Sequence, residues 1–146
     1  MRNGGILLVE DNSDDEMLTL RALRRNEIVN KVTVAHDGRE AVDILFATGR
    51  DVAPPVLILL DLNLPKVDGL EALSRIRADE RTRFIPVVVL TSSKQQEDVL
   101  ASYRNGANAY VRKPLKFADF AEAVKTLGMF WLLLNEVPAG TSLLSD

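Results

Sequence analysis

The sequence contains no cysteine, and this absence removes several classes of function at once. Without cysteine the chain can form no disulfide, no cysteine-ligated zinc site and no catalytic thiolate. The absence also fits a reducing compartment. We therefore expect a cytoplasmic protein.

Long apolar runs and long basic runs are also missing. The stretches at Ile6–Val9 and at 127–134 fall far short of the ~20 residues of a membrane helix. The first is followed at once by acidic residues, unlike a signal peptide. The net charge is −3, which argues against nucleic acid as a partner. We expect binding to neither membranes nor nucleic acid.

The residues that are present are enough for one compact domain. The chain has 146 residues, of which 47% are apolar and 27% charged, as in globular proteins with one sizeable core. We expect a single domain over residues 1–134. Residues 135–146 would then form a short C-terminal tail, with no output domain.

Short apolar segments alternate with segments of helical spacing. This alternation predicts five βα units and a parallel sheet covered by helices on both sides. A helix over 13–26 would bury Met17, and the last helix would begin near Lys116. Capping boxes are predicted at 13–16, 37–40 and 93–96. The five predicted strands are Ile6–Val9, Val32–Ala35, 56–60, 87–90 and 109–111.

Polar residues follow these strands where a parallel sheet would gather them at one edge. Glu10 and Asp11 follow the first strand, Asp61 the third, Thr91 the fourth and Lys113 the fifth. Clustered carboxylates repel one another, and a hard cation such as Mg²⁺ would relieve that repulsion. A carboxylate beside such a metal can attack a phosphoryl group, whose charge an ammonium would offset.

Four motifs make the sequence resemble the receiver domain of response regulators. They are LLVED at 7–11, LLDLNLP at 59–65 with Asp68-Gly69, VLTS at 89–92 and NAYVRKP at 108–114. The resemblance implies a doubly wound α/β fold with a five-stranded parallel sheet of order 2-1-3-4-5, flavodoxin/CheY-like. It implies phosphorylation of the chain rather than turnover of a substrate, so we do not expect an enzyme.

The resemblance also assigns roles to residues. Asp61 would accept the phosphoryl group from a sensor histidine kinase, and Mg²⁺ would be held by Glu10, Asp11, Asp61 and the backbone carbonyl of Asn63. Lys113 would contact the phosphate, with the Lys113–Pro114 bond cis. Thr91 and Tyr110 would form the switch that changes a protein-binding surface.

A finer resemblance is to single-domain regulators that partner bacterial phytochrome kinases. It is carried by Pro54-Pro55, by Asn108-Ala-Tyr110 and by Phe130-Trp131. The sole histidine, His36, lies just past the second strand. We expect it on the surface, because in this family the phosphodonor histidine belongs to the kinase.

The last helix is expected to carry a homodimer surface. Apolar residues at spacings of 3 and 4 form one seam, while the final turns add further apolar residues on other faces. We assign Phe130, Trp131 and Leu133 to the dimer surface. The seam consists of Phe117, Phe120, Val124, Leu127, Trp131 and Leu134, and the additions are Met129, Phe130, Leu132 and Leu133.

Three alternative functions stay open. An aspartate-nucleophile phosphatase would need an acid two residues after Asp61, where Asn63 stands. A flavodoxin-like cofactor carrier would need a phosphate-cradling loop where Glu10 and Asp11 lie. A receiver fold could also serve as a scaffold that is never phosphorylated, although the full set of acidic, hydroxyl and ammonium groups argues against this.

Overall fold

The structure is a computed structural model that describes residues 4–47, 54–62, 64, 68–92, 96–114 and 116–136. Strands and helices alternate along the chain, as the sequence predicts. The elements are β1 (Ile6–Val9), α1 (Ser13–Arg25), β2 (Val32–Ala35), α2 (Gly38–Leu45), β3 (Leu57–Leu60), α3 (Gly69–Ala78), β4 (Val87–Thr91), α4 (Gln96–Arg104), β5 (Ala109–Arg112), α5 (Phe117–Gly128) and a π-helix (Met129–Leu134).

The five strands form one parallel sheet in the order β2-β1-β3-β4-β5, which confirms the expected fold class. In its centre, Ile6 of β1 is aligned with Val32 of β2 and with Leu57 of β3. Every residue of β1, β3 and β4 is buried, whereas the edge strands β2 and β5 are partly exposed. The three continuous apolar runs are therefore the strands covered on both faces.

Alternation of side chains along the strands divides the apolar residues between two cores. Leu7, Ile58 and Val87 point to a core shared with residues of α2 and α3. Leu8 and Leu59 point to the opposite core, which includes residues of α1 and α5. The sheet is thus covered on both sides, and its carboxyl edge is left for polar groups.

The capping boxes predicted at the helix starts are only partly present in the structure. Asn12, not Ser13, caps α1 and accepts a hydrogen bond from the Asp15 N–H, so the capping box predicted at 13–16 is wrong. The box at 37–40 is confirmed in part, because the Asp37 side chain accepts from the Glu40 N–H at 2.7 Å. The box predicted at 93–96 includes residues that lie outside the described part of the chain.

Met17 is not a core residue. It is 65% exposed, while Thr19, Ala22 and Leu23 are the buried residues of α1. Leu20 also packs against the core, so the buried face of α1 carries Leu20 and Leu23 and turns Met17 toward solvent. The exposed position predicted for His36 is confirmed, and its Nε2 lies 2.9 Å from Glu16 Oε1.

The seam predicted for the last helix continues past Gly128 as far as Trp131, but the form of the helix changes there. There the helix widens, and the Asn135 N–H bonds to the Phe130 carbonyl five residues back at 2.7 Å. A wider turn rotates later side chains out of the heptad phase. Leu132 is consequently buried, so its place in an exposed patch is wrong, whereas Met129 and Phe130 are 51% and 47% exposed.

Other predictions for this end of the chain are less fully described. Trp131 is half-buried against the core on the α1/α5 side. The side chain of Leu133 and the tail from residue 137 lie outside the described part. None of the helices in the described ranges has the length and apolar character that crossing a membrane requires.

Candidate functional site

Backbone hydrogen bonds at the carboxyl ends of the strands fix the candidate residues in place. The Glu10 N–H donates to the Ala35 carbonyl at 2.9 Å, and the Asp61 N–H to the Val9 carbonyl at 3.1 Å. The Lys113 N–H donates to the Thr91 carbonyl at 2.8 Å. The ladder of the sheet thus extends one residue past the strands and brings these side chains to one edge.

Gly69 sets the shape of the loop that follows Asp61. Its N–H donates to the Leu62 carbonyl at 3.2 Å. A Cβ at this position would lie 2.6 Å from the Leu62 Cα, closer than packed atoms can approach. A glycine is therefore required for the start of α3 to pack against the Asp61 loop.

Asp61 accepts hydrogen bonds from two of the predicted residues. The Thr91 hydroxyl, which is fully buried, donates to Asp61 Oδ1 at 3.0 Å. The Lys113 ammonium lies 3.2 Å from Asp61 Oδ2 and 2.5 Å from Glu10 Oε1. Asp61 itself is 8% exposed, so its carboxylate sits in a pocket that excludes most solvent.

Three carboxylates converge beside this ammonium. Glu10, Asp11 and Asp61 each offer an oxygen within 4.8 Å of the other two. Glu10 and Asp61 are buried and Asp11 is exposed. Oxygen ligands at such spacing suit a hard divalent cation.

Two other residues that the resemblance assigns to the site are not among these groups. Tyr110 lies on β5, half-buried against the core on the α2/α3 side. Asn63 lies outside the described residues. No peptide bond in the described part is cis, so the cis Lys113–Pro114 bond is wrong for this structure. The trans isomer is the more stable form of an X–Pro bond.

A family model for the response regulator receiver domain matches residues 6–125. The chain belongs to the response regulator receiver family. Two relatives match nearly the whole receiver. The probable methanogenesis regulatory protein FilR2 of Methanothrix harundinacea is 44% identical over 134 residues, covering 91% of this chain and 86% of FilR2. The response regulator Rcp1 of Synechocystis sp. is 40% identical over 136 residues, 92% of each chain.

Solved structures confirm the fold and the finer resemblance to phytochrome-associated regulators. The phosphorylated cyanobacterial phytochrome response regulator RcpA has a TM-score of 0.86 at 38% identity, covering 94% of this chain and 99% of RcpA. The Mn²⁺-bound form of Rcp1 has a TM-score of 0.83 at 39% sequence identity, and the match covers 92% of this chain and 99% of Rcp1. The bacteriophytochrome response regulator AtBRR has a TM-score of 0.73 at 49% sequence identity, and the match covers 93% of this chain and 100% of AtBRR.

The pKa values in this receiver site depend on how the carboxylates share one positive charge, the ammonium of Lys113. Burial raises the pKa of Glu10 to about 7, helped by the charge of Asp61 and opposed by Lys113. Burial alone would lower the pKa of Lys113. The hydrogen bond from Lys113 to Glu10 and the surrounding carboxylate charges outweigh burial, and the pKa of Lys113 is raised. The ammonium therefore stays charged, while Glu10 binds a proton unusually readily.

Sequence reasoning missed one member of this receiver site, Asp15. Its Oδ2 lies 3.3 Å from Lys113 Nζ, across a sequence separation of 98 residues. The acidic first turn of α1 reads as ordinary helix capping. One signal was available in the sequence. Asp15 comes about one turn after the Glu10-Asp11 pair, at the start of the helix that follows the same strand end.

Proposed function

We propose that this receiver accepts a phosphoryl group on Asp61 from the phosphohistidine of a sensor histidine kinase. One observation carries the proposal: the buried Asp61 carboxylate lies between the Thr91 hydroxyl and the Lys113 ammonium, beside two more carboxylates. A carboxylate so placed can act as a nucleophile, and an ammonium can offset charge on the phosphoryl oxygens.

The proposed reaction changes only the chain's own carboxylate. An Asp61 oxygen attacks phosphorus, a P–O bond forms, the P–N bond of the phosphohistidine breaks, and the imidazole stays with the kinase. Water later attacks the acyl phosphate, which restores the carboxylate and releases inorganic phosphate. No external substrate is turned over as the protein's product, so we do not propose an enzyme.

Mg²⁺ is the proposed cofactor. Glu10, Asp11 and Asp61 would hold it, together with the backbone carbonyl of Asn63, which lies outside the described residues. The donor set fits, because all donors are oxygens and the three carboxylates converge within 4.8 Å. Bound there, Mg²⁺ would supply positive charge beside the transferred phosphoryl group. The similarity to the Mn²⁺-bound form of Rcp1 supports a divalent cation.

A phosphotransfer assay tests this function directly. Purified sensor kinases carrying radiolabelled phosphohistidine are mixed with the chain and Mg²⁺, and the label on each protein is followed over time. We expect rapid transfer from a phytochrome-type kinase, since RcpA and AtBRR are regulators of phytochrome systems by name. A partner of this kind would place the chain in the cytoplasm. No transfer from any kinase, and no uptake from acetyl phosphate, would refute the function.

Mg²⁺ affinity should depend on pH through Glu10. Below its pKa of about 7, Glu10 carries a proton that must leave before the carboxylate binds a cation. Affinity should therefore fall about tenfold from pH 8 to pH 6. Titration calorimetry at both values measures it, and Glu10→Gln should remove most of the dependence. Equal wild-type affinities at pH 6 and pH 8 would contradict this.

Thr91 and Tyr110 are proposed to couple phosphorylation to a surface change. A phosphoryl group would draw the Thr91 hydroxyl toward it, and the Tyr110 ring would move into the vacated space. Thr91→Ala should keep the phosphorylation rate within about threefold while losing the structural response. The readout is the amide NMR shift of Tyr110 with and without phosphate. Thr33→Ala, on an exposed position of β2, is the control, and a full Tyr110 response in Thr91→Ala would refute the coupling.

A homodimer through the π-helix is also a proposal. Phe130 is 47% exposed, and its ring packs edge-on against Trp131 with centroids 4.8 Å apart, so a rigid aromatic surface faces solvent. Burying a large apolar side chain contributes roughly 1.5–3 kcal/mol, which favours self-association in a two-fold dimer.

Sedimentation velocity tests the dimer at micromolar concentration. We expect dimers for the wild type and at least a tenfold weaker association, about 1.4 kcal/mol, for Phe130→Asp combined with Leu133→Asp. Val29→Asp is the control, because Val29 is 87% exposed and lies in a loop after α1. A monomeric wild type, with or without phosphate, would leave this surface to another protein.

A further inference from the structure

The ammonium of Lys113 has more carboxylate partners than the proposed phosphorylation requires. Its Nζ lies 2.5 Å from Glu10 Oε1, 3.2 Å from Asp61 Oδ2 and 3.3 Å from Asp15 Oδ2. An ammonium has three N–H donors, so each carboxylate can accept one. Glu10 and Asp61 belong to the proposed metal and phosphoryl site, but Asp15 has no assigned part in it.

The backbone of Asp15 is held in place by contacts within its own helix. The Asp15 N–H donates to Asn12 Oδ1 at 2.9 Å, and its carbonyl accepts from the buried Thr19 hydroxyl at 2.9 Å. These bonds fix the backbone of Asp15 in the first turn of α1, from which its side chain reaches the ammonium. Asp15 and Lys113 also line one open pocket, whose other walls are mainly apolar: Leu18, Thr19, Pro114, Phe117 and Phe120.

Lys113 does not need Asp15 in order to stay at the site. The Lys113 side chain is 11% exposed, and its two other carboxylate partners are buried at 2% and 10% exposure, whereas the Asp15 side chain is 41% exposed. The buried pair alone holds the ammonium near Asp61. The third contact therefore draws the ammonium toward α1, and its charge repels an approaching anion.

We propose that Asp15 is a positioning residue that competes with the phosphoryl group for Lys113 and slows phosphoryl acceptance. This inference rests on the proposed function and deepens it. When a phosphoryl group reaches Asp61, its oxygens need an N–H donor of Lys113. Asp15 attracts the same ammonium from the side of α1, so Lys113 can turn fully toward the phosphoryl oxygens only as its contact with Asp15 weakens.

Initial rates of phosphoryl uptake from acetyl phosphate at saturating Mg²⁺ test this inference. Asp15→Asn should react roughly three- to tenfold faster than wild type at low ionic strength, and the difference should shrink in high salt because the Asp15 carboxylate is partly exposed. Asp14→Asn is the matched control, since Asp14 is exposed in the same helical turn. It should react at the wild-type rate.

A second measurement shows whether the effect passes through Lys113. In a Lys113→Gln background, Asp15→Asn should change the rate by less than about 1.5-fold, because no ammonium is left to compete for. An unchanged or slower rate in the single variant, an equal gain in Asp14→Asn, or an equal gain without Lys113 would overturn the inference. A wild type that takes up no phosphate would overturn the proposed function and this inference together.

Discussion

Phosphate uptake should fall by more than about a thousandfold in Asp61→Asn, because an amide oxygen is too weak a nucleophile to attack phosphorus. The amide keeps the size of the carboxyl, and its one oxygen can accept from the Lys113 ammonium while its NH2 donates to the Thr91 hydroxyl. The fold should therefore be preserved. Intact-protein mass spectrometry after incubation with acetyl phosphate and Mg²⁺ measures the loss, and hydroxylamine should release the phosphate from wild type.

Asp43→Asn is a suitable control for Asp61→Asn. Asp43 lies on α2, its side chain is 66% exposed, and its recorded partner is Arg39 at 3.5 Å. This variant should take up phosphate like wild type. In metal-free buffer Asp61→Asn should also unfold at the same temperature as wild type or higher, since Asp61 is one of the charges that raise the pKa of Glu10. A hydroxylamine-sensitive phosphate gained by Asp61→Asn at the wild-type rate would show that another residue is the acceptor.

Mg²⁺ affinity should fall at least about tenfold in Asp11→Asn, because a neutral amide replaces a charged oxygen ligand. Asp11 should be the more important of the two acids after β1. Glu10 is already hydrogen-bonded to Lys113 and binds a proton with a pKa of about 7, so part of its affinity for a cation is offset. Asp11 is exposed at the crest of the loop, where a cation can approach its carboxylate from solvent.

Titration calorimetry at pH 8 compares Asp11→Asn with Asp14→Asn. Asp14 is an exposed acid only three residues further along, so its variant changes the net charge equally without removing a proposed ligand. It should retain affinity within about twofold, since exposed charges are largely screened. Equal losses in both variants would mean that general charge, rather than ligation by Asp11, attracts the cation. Unchanged affinity in Asp11→Asn would remove it from the metal site.

The positions of the strands were predicted well, because their burial follows directly from their apolar composition. The ranges of β1 and β2 match the structure, and the continuous apolar runs are the central strands buried on both faces. Strand ends could be recognised because polar residues begin abruptly there. The convergence of Glu10, Asp61, Thr91 and Lys113 followed from parallel topology alone.

Helix faces were predicted less well, because the largest apolar residues do not always mark the buried side. In α1 the buried positions include Thr19 and Ala22, and Met17 faces solvent. In the last helix the seam holds through Trp131, and the π-turns also bring Leu132 inward. Both outcomes depend on how closely a helix approaches the sheet, which spacing along the chain does not encode.

By itself, then, the sequence determined the βα alternation, the parallel sheet and the edge at which the acids, the hydroxyl and the ammonium meet. Those features follow from local hydrophobicity and from where polar residues interrupt it. Only the tertiary structure decided the contact of Asp15 with Lys113 and the burial of Leu132. Each depends on the distance and rotation between elements remote in the chain, and packing of the whole core sets these quantities.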